Sequence, residues 1–202
     1  MKIICIGRNY KNHIKELNSK IPDQPVFFLK PESAVLRNNI FFIPHFSNDV
    51  QYETELVLRI NRLGKHIQSK FAYRYFDAIG IGIDITARDI QSKCKKEGLP
   101  WEISKAFDGS AVLSDFIPVS EFEDINQIKF ELTKNDEIVQ KGNSADVIFN
   151  FAEIISYVSQ FMTLKIGDLI FTGTPEGIGK MNSGDVYRAY LQGREMINFK
   201  VK

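Results

Sequence analysis

Between Ala78 and Thr86 the chain alternates without a break. Ile79, Ile81, Ile83 and Ile85 fall on one face of a strand, and Gly80, Gly82, Asp84 and Thr86 on the other. The isoleucine face predicts core. Glycine inside a strand weakens it and marks a place where something approaches closely, and here a carboxylate stands at the end of that bare face. A second run, from Tyr52 to Ile60, places Glu53 and Glu55 on one face with Thr54 and Leu56 opposite. Residues two apart on a strand project side by side, about 7 Å apart along the backbone. Two like charges on one face repel unless a cation or solvent relieves them, so a solvated strand face is the plain alternative to a site.

The same periodicities place the other elements. Lys2 to Ile6 and Val26 to Lys30 form strands that end at Gly7 and Pro31, and Ile40 to Ile43 follows an Asn38-Asn39 turn. Asn135-Asp136 between Ile128–Thr133 and Glu137–Lys141 predicts a hairpin. Leu169–Thr172, Asp185–Leu191 and Met196–Val201 are further β segments. Helical spacing joins Phe151, Ile154, Ile155, Val158, Phe161 and Met162. Another helix opens near Thr86 and runs to Glu97, stopped by Gly98 and Pro100. A short helix is expected over 71–76 and a loop over 105–109. The polar stretch after Tyr10 carries His13 and Glu16, which are i,i+3 neighbours if it is helical, and it breaks at Asn18 to Asp23. Strands outnumber helices and do not alternate with them regularly. That predicts a β-rich α+β fold in a single domain over 1–202 rather than a doubly wound sheet.

Composition narrows the function classes. The 202 residues suffice for one sizeable core, and 44% hydrophobic with 25% charged residues is ordinary for a globular chain. A net charge of +1 gives no electrostatic argument for nucleic acid or an anionic membrane. No apolar run approaches spanning length, and the start of the chain is too short for a signal peptide, so a soluble, cytoplasmic protein with no membrane or nucleic-acid partner is the expectation. Cys5 and Cys94 form neither a disulfide framework nor a zinc knuckle and are expected to be buried.

Nucleotide motifs fail on spacing. Gly80-Ile81-Gly82 lacks the third glycine of a dinucleotide fingerprint, and Gly173 to Lys180 has one residue too many for a phosphate loop. His13, His45 and His66 have no zinc spacing. What remains is Glu53, Glu55 and Asp84, three hard oxygen ligands that suit Mg²⁺, Mn²⁺ or Ca²⁺. Arg88, Gln91 and Lys105 lie close in sequence and could bind an anionic substrate, with an ion pair from Arg88 to Asp84 or Asp89 as the plain alternative. His13 with Glu16 has the composition of an oriented general base, or of a surface helix pair.

Several motifs occur together in one order. They are Gly7-Arg8-Asn9-Tyr10 with His13 and Glu16, Lys30-Pro31, Tyr52-Glu53-Thr54-Glu55-Leu56, and Asp84-Ile85-Thr86-Ala87-Arg88-Asp89-Ile90-Gln91. Gly98-Leu99-Pro100-Trp101 with Lys105-Ala106-Phe107-Asp108, and Gly167 to Gly179 with Thr172-Gly173-Thr174-Pro175, complete the set. Over nearly its whole length the chain resembles the fumarylacetoacetate hydrolase family in its short, single-domain branch. The resemblance implies a mixed β-sandwich roll, a homodimer, and a divalent metal held by Glu53, Glu55 and Asp84, with Mg²⁺ expected and Mn²⁺ or Ca²⁺ as alternatives. It implies a His13–Glu16 dyad on a mobile lid over about 9–23. Lys105 would be catalytic, and Arg8, Arg88, Gln91 and Thr174 would bind substrate. Two departures bear on the subgroup: Gln51-Tyr52 precedes Glu53 where relatives often carry a histidine, and Ser110-Ala111-Val112 follows where many carry a proline. The implied activity is on a small 2-oxo or 2,4-dioxo acid. Acylpyruvate hydrolysis is expected first, then oxaloacetate decarboxylation or dienoate isomerisation, with a non-catalytic binding module as the contrasting class.

Overall fold

The computed structural model describes residues 1–202, which build three sheets. The largest, of seven strands, runs Val26–Lys30, Ile3–Gly7, Leu169–Phe171, Thr54–Ile60, Phe76–Asp84 and Ala111–Leu113, with Ile117–Pro118 also on Phe76–Asp84. Ile3–Gly7 lies parallel to Leu169–Phe171, so the two distant parts of the chain meet at its centre. A five-stranded sheet runs Glu137–Asn143, Lys129–Lys134, Val186–Leu191, Arg194–Val201 and Ile40–Phe41. A small third sheet pairs Gly179–Lys180, Val50–Tyr52 and Thr86–Ala87. The sheets are curled and partly closed, giving the mixed α+β sandwich roll that the resemblance implies.

The main core joins the two large sheets. Leu56, Leu58, Ile79, Ile81 and Ile83 from one pack in a single cluster with Leu132, Ala189, Leu191 and Phe199 from the other. Each such branched side chain contributes about 1.5–3 kcal/mol on burial. The helix Phe151–Phe161 adds Ile154, Ile155 and Val158 to the cluster, and an Asn150–Glu153 capping box fixes its start. Both cysteines are buried, as expected.

The bare face of the alternating strand is not open. Phe171 and Val57, with Cys5 and Ile3, make a second, smaller core there. A Cβ on Gly82 would meet Phe171 at 2.5 Å and Val57 at 2.9 Å. What approaches this glycine closely is a neighbouring ring, not a ligand. Gly82→Ala is therefore expected to lower stability by about 1–3 kcal/mol, the usual cost of overpacking, read as a drop in melting temperature. An unchanged melting temperature would mean that Phe171 moves aside freely.

Local chemistry explains most boundaries. Asn135 and Asp136 both take positive φ (52° and 69°), which suits the tight hairpin. Gly98 at φ 67° ends the helix Arg88–Glu97. Two expectations are corrected. Lys105 ends a short helix, Glu102–Lys105, instead of opening a loop, and residues 69–74 form a 3₁₀ helix. The strands Ala111–Leu113 and Ile117–Pro118 are too short to show a period in sequence.

Candidate metal centre

The site lies where the chain passes from the small sheet into the large one. Glu53 occupies the single position between Val50–Tyr52 and Thr54–Ile60. Asp84 ends the adjacent strand, and its N–H donates to the Glu53 carbonyl at 2.8 Å. Glu55 stands across from Gly82. Neighbouring strands thus bring the three carboxylates together, with one oxygen from each within 4.8 Å of the others. All three are buried, Glu55 and Asp84 to within 2% of full burial.

Cations surround them unevenly. Lys105 Nζ donates to Glu53 Oε2 at 2.5 Å and to Asp84 Oδ2 at 2.8 Å. Arg88 pairs with Glu53 through Oε1, not with Asp84 or Asp89. Lys30 Nζ stands 2.9 Å from Asp84 Oδ1 without hydrogen-bond geometry, so this buried oxygen has no hydrogen bond. Glu55 has no cationic partner; its Oε2 accepts only the Gly173 N–H, at 2.6 Å. Titration follows this split. Burial opposes ionisation of Glu53, but Lys105 and Arg88 outweigh it and hold the carboxyl well below its usual range. Burial, with repulsion from Asp84 and Glu53, pushes Glu55 well above that range. Burial would lower the Lys105 amine, but Asp84 and Glu53 raise it.

This donor set fits a hard divalent cation. Glu55 is a buried carboxylate that no cation pairs with, Asp84 Oδ1 is a buried acceptor without a hydrogen bond, and all three ligands are carboxylates. Glu53, Glu55 and Asp84 would hold the ion, and a cation among them relieves the repulsion that raises Glu55.

The dyad faces the same place. His13 and Ile14 are the buried side of the helix Lys11–Glu16. His13 Nδ1 lies 3.0 Å from Glu16 Oε2, and Glu16 Oε1 accepts the Gly177 N–H at 3.0 Å. Asn12 Nδ2 donates to Glu176 Oε1 at 3.1 Å, so the helix is tied to the loop after Gly173 at two points. Gly177 has φ 94°, and a Cβ there would collide with the Val139 carbonyl, which explains a glycine at this position.

A small cavity of about 30 Å³ is lined by every residue that the sequence nominated except Glu16 and Arg88. Glu16 bonds to His13, and Arg88 reaches Glu53, Gln51 and Gln91 without lining the cavity. Three participants received no role from the sequence, although Lys30-Pro31 is one of its motifs. Lys30 braces the wall by donating to Ser110 Oγ at 3.0 Å and to the Lys105 carbonyl. Its signal was a lysine ending an apolar strand before Pro31. Gln140 donates to Thr174 Oγ1 at 3.0 Å and accepts the Thr54 N–H at 3.0 Å, and nothing in its hairpin marked it. Lys95 lines the cavity as well.

Fold and site define a divalent-metal enzyme built on a β roll. The chain belongs to the fumarylacetoacetate hydrolase family: residues 2–202 match its fumarylacetoacetate (FAA) hydrolase C-terminal description. It is 40% identical to oxaloacetate tautomerase YcgM of Escherichia coli (strain K12), over 96% of this chain and 90% of that protein. It is 37% identical to the mitochondrial oxaloacetate tautomerase FAHD1 of Bos taurus (99% and 91% covered) and 40% identical to the mitochondrial oxaloacetate decarboxylase of Dictyostelium discoideum (95% and 89%). Among solved structures, a fumarylacetoacetate hydrolase family protein from Yersinia pestis CO92 superposes with TM-score 0.95 at 42% identity, covering 100% of this chain and 93% of that one. Fumarylpyruvate hydrolase from Pseudomonas aeruginosa, in complex with Mn²⁺ and pyruvate, superposes with TM-score 0.94 at 33% identity, covering 100% and 89%.

One expectation is overturned by these relatives. A cytoplasmic location does not stand, because the proteins from cattle, mouse, rat, orangutan, human and Arabidopsis are all named as mitochondrial. Composition and hydropathy carry no address, since both compartments are aqueous. No helix is long and apolar enough to cross a membrane.

Proposed function

We propose that the chain catalyses keto–enol tautomerisation of a 2-oxo dicarboxylic acid of the oxaloacetate type. Carrying the reading is one buried cavity in which three carboxylates, Lys105 and His13 converge. The choice of substrate rests on the names of the relatives. Acylpyruvate hydrolysis, the first expectation from sequence, uses the same groups, but those names support tautomerisation better. Decarboxylation is the second reading, supported by the Dictyostelium relative.

A divalent cation, Mg²⁺ or Mn²⁺, supplies Lewis-acid polarisation of the 2-oxo oxygen when bound. The chain's own residues do the rest. Glu16 accepts the His13 Nδ1–H, which leaves Nε2 as the basic nitrogen. His13 takes the proton from C3, and the C–H electron pair becomes the C2–C3 double bond as charge moves to the 2-oxo oxygen. Lys105, already charged between Glu53 and Asp84, stabilises that charge and aids return of a proton to oxygen. Thr174 and Gln91 orient the first carboxylate, and Arg88 fixes Glu53 and Gln91. The segment over 9–23 acts as the lid, docked through Asn12 and Glu16.

A homodimer belongs to the proposal. Exposed Phe46 and Ile103, with Leu29, flank an apolar groove of about 1000 Å³ that Lys30 also lines. A second copy seated there would cover the wall behind Asp84. Light scattering should give two chains per particle, and a monomer at working concentration would contradict this.

The functional test gives the metal-loaded protein enol-oxaloacetate and, separately, acetylpyruvate. Decay of enol absorbance should outrun both pyruvate release from oxaloacetate and cleavage of acetylpyruvate. Faster cleavage of acetylpyruvate would establish hydrolysis instead, and faster pyruvate release would establish decarboxylation. Binding of pyruvate without any turnover would leave only a binding module.

A further inference from the structure

Most cations at this site are already matched to an acid. Lys105 and Arg88 pair with Glu53, and Lys105 and Lys30 contact Asp84. Two that line the cavity are not. Arg8 follows the strand Ile3–Gly7 at φ 60°, a left-handed conformation costly for a non-glycine residue, and its buried Nε has no hydrogen-bond partner. Lys95 is exposed along much of its length, yet its ammonium is drawn inward. Nζ donates to Gln91 Oε1 at 3.0 Å and stands 5.2 Å from the Trp101 ring centroid. Gln91 Oε1 also accepts from Arg88 Nη1 at 2.5 Å, so a neutral oxygen shared with another cation is the only polar acceptor Lys95 has.

We propose that Lys95, together with Arg8, receives the second carboxylate of a dicarboxylic 2-oxo acid and so sets the preference of the site for dicarboxylates. The inference rests on the reading of the cavity as a 2-oxo acid site, and it assigns Lys95 a role in selecting the substrate. The first carboxylate and the 2-oxo oxygen belong to the metal end of the cavity. A monocarboxylic acid leaves Arg8 and Lys95 without a counter-charge, whereas a distal carboxylate meets both. The surroundings of the amine agree. Burial, then repulsion from Arg88, Arg8 and Lys105, brings Lys95 down to about 8, and only Glu53 opposes them. An anion beside Nζ would relieve that repulsion. The plain alternative is a surface lysine in the last turn of a helix, favourable to the helix dipole and nothing more. Lys96 shares that turn without lining the cavity, which makes it the control.

The test compares the Mn²⁺-loaded parent with Lys95→Met, Lys95→Arg and Lys96→Met by calorimetry. The ligands are 3,3-difluorooxaloacetate, which has no C3 proton to transfer, and pyruvate, which lacks the distal carboxylate. The parent should bind the dicarboxylate more tightly than pyruvate. Lys95→Met should weaken the dicarboxylate by about ten- to a hundredfold, the scale of one charge-assisted hydrogen bond, and barely change pyruvate. Lys95→Arg should keep most of the preference, and Lys96→Met should match the parent. Equal losses for both ligands, no preference in the parent, or the same loss in Lys96→Met would overturn the inference. Parent protein that binds with the expected preference but does not tautomerise oxaloacetate would contradict the functional reading and leave the role of Lys95 standing. Binding of neither ligand would end both.

Discussion

Exhaustive chelation should reduce turnover of oxaloacetate to the uncatalysed rate, and Mn²⁺ or Mg²⁺ should restore it. Glu55 is buried without a balancing cation and Asp84 Oδ1 is buried without a hydrogen bond, while Lys105 and Arg88 already neutralise Glu53. Without the ion, the polarisation of the 2-oxo oxygen falls to Lys105 alone. The same ion should raise the melting temperature, because the three ligands converge only in the folded chain. At a hundredfold excess over its dissociation constant a ligand adds about 2.7 kcal/mol of stability. Glu55→Ala should abolish both effects while leaving the ion pairs of Glu53 intact. Full activity in protein shown by elemental analysis to be metal-free would refute the assignment.

His13→Ala should slow tautomerisation by about 10²-fold or more, the usual scale for a general base. Its geometry argues for chemistry over packing. The imidazole lines the cavity, its Nδ1 is held by Glu16, and Glu16 is held by the Gly177 backbone. Glu16→Gln should fall between the parent and His13→Ala, since an amide can still orient the ring but cannot stabilise the imidazolium. Pyruvate affinity should change little in either variant, because the metal end is untouched. Parent-like turnover in His13→Ala would assign the proton transfer to another group.

Much of this architecture is legible in the sequence. The alternation of Ile79 to Ile85 and the helical spacing from Phe151 to Val158 each report one buried face, and both elements form as expected, although Phe161 at the end of the helical pattern is exposed. The Glu53/Glu55 pair and Asp84 were legible because like charges at strand spacing demand an explanation. Long-range partners were not legible. Gly82 marks a close approach without saying of what, and it is Phe171, nearly ninety positions further on, that fills the space. Gln140 reaches Thr54 and Thr174 from a hairpin whose own pattern says nothing of the site. Lys30 and Lys95 take their place at the site only through the packing of distant segments around them. Sequence pattern reports which face is buried, and only the packing of distant segments decides what it is buried against.

The central claim is that Glu53, Glu55 and Asp84 share one divalent ion. Anomalous diffraction at the manganese edge, from crystals of the protein equilibrated with Mn²⁺, tests it directly. A single strong peak bonded to oxygens of all three carboxylates, absent from crystals of Glu55→Ala, is the expected result. Lys105 still bridging Glu53 and Asp84, with no peak among the three carboxylates at saturating Mn²⁺, would contradict it.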